Sequence, residues 1–191
     1  MSKVSVKARA LTYEEYTALP ETMGRYEILD GVMLMAPAPS IRHQETVLRI
    51  AEFLRKFSRE RGLGTVLVAP VDVVISREPL RVRQPDVLFV SAERCPPERL
   101  IEMERVEGFG PDLVVEVLSP SESGEALKEK LEDYARIGVR ECWLVEPVAK
   151  TVEVLSLSER GAERLGLFGK GEAIRSRVLE GLTLPVDFVL E

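Results

Sequence analysis

The sequence predicts a mixed α/β fold, a central sheet flanked by helices. Three observations carry that expectation. Residues 113–118 form an apolar run broken only by Glu116. Apolar residues recur at helical spacing in segments before and after it. Strand-like and helix-like segments alternate along the chain with no internal repeat. The 191 residues are read as one domain over 1–191, long enough to bury about 70% of the accessible surface.

A composition of 45% hydrophobic and 30% charged residues excludes a chain that is disordered throughout. No apolar run approaches the ~18 residues that span a bilayer, and the start MSKVSVKARA has no apolar signal segment. The expectation is a soluble cytoplasmic protein with no membrane partner. Two cysteines and a single histidine, His43, leave too few ligands for a usual structural zinc site. Twenty-six basic and 32 acidic side chains give a net charge of -6. That balance argues against indiscriminate coating of DNA, yet it permits a local basic groove or a group of carboxylates around a divalent cation.

In chain order, Thr12 and Glu15 have the spacing of a capping box for a short helix that Pro20 stops. Residues 25–39 read as two strands joined by Asp30-Gly31, a pair suited to a tight hairpin, with Glu27 in the first strand. Residues 40–61 place Val47, Ile50, Ala51, Leu54 and Phe57 on one helical face, between a capping Ser40 and a terminating Gly62. His43 and Glu45 lie near the start of this helix, either as solvated first-turn residues or at the edge of a site. One or two strands follow in 65–75. The block RVRQPDVLFV reads as an exposed, basic approach to Pro85-Asp86, followed by an apolar strand over 87–90. The polar stretch 91–110 is a surface excursion, and 113–118 is the core strand. A helix over 125–137 ends at Gly138, and strands in 141–147 and 151–157 flank a turn.

An acid inside an apolar strand must face a site, point beyond the sheet or be well paired. Asp86 and Glu116 each sit beside or within such a strand, so paired strands could bring them to one edge. Two carboxylates a few ångströms apart repel unless one takes a proton or a cation lies between them. Mg²⁺, with Mn²⁺ as a variant, resolves that repulsion and retains waters for reaction with a phosphate. On the helical wheel of 125–137, Lys130 falls within the stripe of Leu127, Leu131, Tyr134 and Ile137, whereas Lys128 falls at its opposite margin. Lys130 is therefore the lysine chosen to offset charge developing on phosphorus. Each residue also has a plainer reading: a turn at Pro85-Asp86, a paired core acid at Glu116, a solvated helix lysine at Lys130. Asp112 reads as a strand-start residue bonding local backbone.

YEILDG at 26–31, RQPDVLFV at 83–90, PDLVVEVLSPS at 111–121, EKLEDYARIGV at 129–139 and ECWLVEP at 141–147 together resemble the Uma2 (DUF820) family, in the same order over nearly the whole chain. The resemblance implies a restriction-endonuclease-like, PD-(D/E)xK fold and Mg²⁺-dependent hydrolysis of DNA phosphodiesters. By the same resemblance Asp86 and Glu116 are the metal-binding acids and Lys130 the catalytic lysine. Leu118 stands where the wider superfamily places its lysine. Glu27 and His43 match further polar positions near the site. The resulting expectation is a metal-dependent endodeoxyribonuclease, with a homodimer inferred from two-strand cleavage. The competing reading is a noncatalytic nucleic-acid-associated or protein-interaction module on the same fold.

Overall fold

The computed structural model describes residues 9–20, 24–119 and 124–191; most of the MSKVSVKARA start and the last two residues of the 111–121 motif lie outside the described residues. Helix α1 (Tyr13–Thr17) opens on the expected capping box, with Thr12 Oγ1 accepting from Glu15 N and the Glu15 carboxylate accepting from Thr12 N. Strands β1 (Tyr26–Leu29) and β2 (Val32–Met35) form an antiparallel hairpin through Asp30 and Gly31, at φ 51° and 78°. A side chain at Gly31 would bring its Cβ within 2.7 Å of Ala10 Cβ, so turn conformation and close packing both require glycine there. Helix α2 (Ile41–Arg61) starts at Ser40, whose hydroxyl accepts from His43 N at 3.2 Å, and ends at Gly62 in the left-handed conformation. This cap fixes His43 on the first turn.

Strands β3 (Gly64–Val68), β4 (Val73–Arg77), β5 (Leu80–Arg83) and β6 (Val87–Ser91) follow, and the polar excursion holds one short helix, α3 (Pro97–Leu100). The core strand β7 (Leu113–Val117), helix α4 (Gly124–Arg136) and strand β8 (Glu141–Glu146) form a strand–helix–strand unit. Strands β9 (Thr151–Ser158) and β10 (Gly161–Phe168) extend the sheet, and β11 (Ala173–Arg175), β12 (Thr183–Pro185) and α5 (Val186–Leu190) complete the chain.

The central sheet runs β10-β9-β8-β7-β6-β3, and is mixed because β7 and β8 are parallel while its other neighbours are antiparallel. A four-stranded sheet, β2-β1-β5-β4, and the pair β11-β12 stand beside it. As predicted, β6 and β7 are neighbours, with Val87 opposite Val115 and Phe89 opposite Leu113. Continuing that register one step beyond the strand sets Asp86 beside Glu116.

Alternation along β7 divides the core. Val115 and Val117 face a cluster with Ile50 and Leu54 of α2 and Trp143 of β8; Val114 faces the other side with Tyr134 of α4, Cys142 and Leu144. Leu113, Val114 and Val115 have no exposed surface, each contributing roughly 1.5–3 kcal/mol of apolar burial. Glu116 shares the α4 side, so its carboxylate points at that helix rather than into hydrocarbon.

Two expectations change. The basic approach to Pro85-Asp86 is not exposed: Arg81, Arg83 and Gln84 are buried, because β5 is an inner strand of the second sheet and both arginines pair with Asp133 of α4. The helix phase places Tyr134 fully inside, but Leu127 and Leu131 are only half-buried, because Asp133 and Tyr134 take the deepest positions.

Candidate active site

Three parts of the fold converge on one cleft of about 700 Å³. The edge of β1 supplies Arg25 and Glu27. Burial alternates along this strand, with Tyr26 and Ile28 inside, so Arg25 and Glu27 share the opposite face and both line the cleft. The first turn of α2 supplies His43. The adjoining ends of β6 and β7, with α4 above them, supply Asp86, Glu116 and Lys130.

Asp86 is 2% exposed. Its Oδ2 accepts from Val117 N at 2.7 Å and lies 3.4 Å from His43 Nε2. Arg25 Nη2 stands 2.6 Å from Oδ1 in an ion pair that lies off the hydrogen-bonding direction, and the same Nη2 donates to Gln84 O at 3.1 Å. Burial alone would raise the Asp86 carboxyl; the His43 hydrogen bond, the Arg25 charge and the Val117 N–H outweigh it and hold it below the usual aspartate value.

Glu116 shows the opposite balance. It is buried, and its carboxylate takes a hydrogen bond from Tyr134 Oη and an ion pair from Lys130 Nζ at 3.1 Å. Burial pushes its carboxyl up to about 7; Asp86 and Glu27 add to the rise, while Lys130 and Tyr134 oppose it. Lys130 Nζ also lies 3.6 Å from Glu27, whose other oxygen accepts from Arg83 Nη1 at 2.8 Å. The side chain of Lys130 is 11% exposed and that of Lys128 is 79% exposed, so the two lysines point to opposite sides of α4.

Asp86, Glu116, Lys130, Glu27 and His43 are thus brought together around one cleft. The expected metal centre is not. Among the described residues no group of three or more His, Cys, Asp or Glu side chains is placed to hold a metal ion. This overturns the expectation of Mg²⁺ or Mn²⁺ held by Asp86 and Glu116. The physical reason is that Asp86 is paired with Arg25, while Glu116, beside Lys130, is pushed by burial toward its protonated form. The repulsion for which a divalent ion was invoked is relieved by protein cations and by a raised carboxyl.

Arg25 and Tyr134 are the residues that sequence reasoning missed as site partners. The signal for Arg25 was its two-residue spacing from Glu27 on a strand whose alternate positions are apolar. Asp112, expected to bond local backbone, bonds outward instead: it accepts from Ser91 N and pairs with Arg94 and Arg140. It lies outside the cleft lining and ties strand ends together.

Among curated proteins none matches the chain in sequence. The fold is similar to the crystal structure of "a putative nuclease belonging to DUF820" from Anabaena variabilis, with a TM-score of 0.76 and 20% identity over 94% of this chain and 97% of that one. At that identity the likeness concerns the fold: a central mixed sheet flanked by helices, of the restriction-endonuclease-like kind. Among the described residues no helix is long and apolar enough to cross a membrane. Residues 13–187 match the Uma2 family, described as "Putative restriction endonuclease", and with that match over most of its length the chain belongs to the Uma2 family.

Proposed function

We propose that the cleft binds a DNA phosphodiester and hydrolyses it, making the protein an endodeoxyribonuclease. The observation that carries this reading is the convergence of Arg25, His43 and Lys130 with Asp86 and Glu116 around one cleft. Lys130 and Arg25 are positioned to favour negative charge developing on the nonbridging oxygens of a phosphate in the cleft. Asp86 orients His43 through Nε2, leaving Nδ1 buried without a hydrogen-bond partner among the described residues. His43, held by Asp86 in the cleft lining, is the side chain proposed to take a proton from an attacking water. Glu27, held by Arg83, sets the position of Lys130 from the side opposite Glu116.

One cleft cuts one strand. A pair of copies is required only for a break in both strands of a duplex.

A second reading has its own observation. Asp86 and Glu116 are each already paired with a cation, which suits a noncatalytic module that binds nucleic acid through the same cleft. Asp86→Asn separates the two. The amide keeps the shape and an acceptor for Val117 N, but removes the charge that holds Arg25 and orients His43. For a nuclease, DNA cleavage assayed in buffers with and without divalent cations falls at least about 100-fold in the variant, while DNA affinity stays within a few-fold. For a binding module, wild-type protein binds DNA and cleaves none under any of these conditions. Thermal unfolding of both proteins shows whether the variant remains folded.

A further inference from the structure

The cleft has two unlike sides. Its floor carries the charged groups described above, whereas its wall is apolar: Leu34 and Met35 of β2, Pro37 and Pro39 in the segment leading to α2, and Val148 in the β8–β9 turn. These side chains are not core residues that happen to border a cavity. Leu34, Met35 and Val148 are 48%, 57% and 68% exposed, although they adjoin one of the most charged parts of the molecule. Water-facing apolar surface beside a floor where Arg25 and Lys130 can meet a phosphate suits a ligand that is apolar next to its phosphate.

A paired duplex is not such a ligand. It presents sugar and phosphate outward and keeps the faces of its bases stacked inside. An unpaired strand offers both chemistries within one nucleotide, an anionic phosphate and a flat, weakly hydrated base. The volume of about 700 Å³ is that of a small-molecule pocket, suited to a nucleotide rather than to the full width of a double helix. Among the described residues no Phe, Tyr or Trp side chain lines the cleft. The packing is therefore against Met, Leu, Pro and Val, surfaces that accept the face of any base without reading its edge.

Resting on the proposed DNA-processing role of this cleft, we infer that the apolar wall takes an unstacked nucleobase adjoining the bound phosphate, so that the substrate is an unpaired DNA strand. The wall then sets strandedness, and the charged floor sets where the phosphate lies. Sequence preference is expected to be weak.

The test measures binding of the full-length protein to a fluorescent single-stranded oligonucleotide and to its duplex, by anisotropy at one fixed salt concentration. The single strand binds about tenfold more tightly than the duplex. The double variant Met35→Ser, Val148→Ser lowers single-strand affinity about tenfold and changes duplex affinity less than about twofold. An oligonucleotide of abasic residues binds wild type as weakly as the intact strand binds the variant. Leu167→Ser, an equally exposed apolar change on β10 outside the cleft lining, leaves binding unchanged. Both substituted wall residues are exposed, so the variant keeps its thermal stability.

A tighter duplex, or a variant that weakens both substrates alike, overturns the inference and leaves the DNA-processing role standing. Unchanged DNA binding together with a change of oligomeric state in light scattering makes the wall a contact between copies, and also overturns it. Binding of neither substrate removes the functional reading and this inference with it.

Discussion

Asp133 and Asp86 are both almost completely buried carboxylates paired with arginine, at 1% and 2% exposure, yet their surroundings differ. Asp133 lies between Arg81 and Arg83, with ion-pair contacts of 2.9 and 2.7 Å, and Arg81 reaches on to Asp30 and Glu129. That cluster joins α4 to β5, and Arg81, Arg83 and Asp133 lie outside the lining of the cleft. Asp86 also has an arginine, but its neighbours are His43 and a cleft open to solvent. The first cluster is a closed joint between the helix and the second sheet. The second keeps polar groups available to a ligand. Glu27 connects them, accepting from Arg83 on one side and lying near Lys130 on the other.

The closed cluster carries the largest expected effect on stability. Asp133→Ala leaves two buried arginines without their shared partner and costs about 3–5 kcal/mol in denaturant unfolding, the usual outcome of breaking a buried pair from one side. A loss below about 1 kcal/mol would mean that water reaches these arginines and that the joint is not closed. The proposed role of the cleft predicts a different behaviour there, with substitutions changing DNA binding or cleavage.

An intermediate effect separates the two acids of the cleft by pH. The Glu116 carboxyl is raised from 4.5 to about 7, so the folded protein holds a proton that the unfolded chain releases. Its stabilising contribution is complete below about pH 4.5 and is lost as pH rises through about 7. Asp86 is lowered, so its contribution is present above the ordinary aspartate value and is lost only as pH falls through the depressed one. Glu116→Gln removes the first dependence and keeps the second. The difference in melting temperature between wild type and this variant should therefore move against wild type as pH rises from 4.5 to 7. Parallel curves over that interval would show that Glu116 is ionised throughout.

The same two regions show what could be read from the residues alone. The Asp30-Gly31 hairpin, both α2 caps and the inward phase of Lys130 were legible because each depends on neighbours within a few residues or on a simple period, and the β6–β7 pairing because both strands are apolar runs. Glu116 stood out because the five other positions of 113–118 are apolar. Arg81 and Arg83 were misread as an exposed approach because their burial depends on Asp133, about 50 residues onward. Arg25 went unnoticed for the same reason, since its partner Asp86 belongs to another sheet. The metal expectation failed at this point: two acids near one another imply a cation, but the sequence does not say whether that cation is an ion or a side chain of the protein itself.

The central claim, that the cleft processes DNA through the inward face of α4, is tested most directly by single-turnover cleavage at saturating DNA with Lys130→Ala and Lys128→Ala. The two lysines are one helical half-turn apart and differ in surroundings, 11% against 79% exposed. Lys130→Ala should slow cleavage about 100-fold, or about 2.7 kcal/mol of barrier, while Lys128→Ala should change it less than about twofold. Equal rates for Lys130→Ala and wild type, or a greater loss in Lys128→Ala, would contradict it.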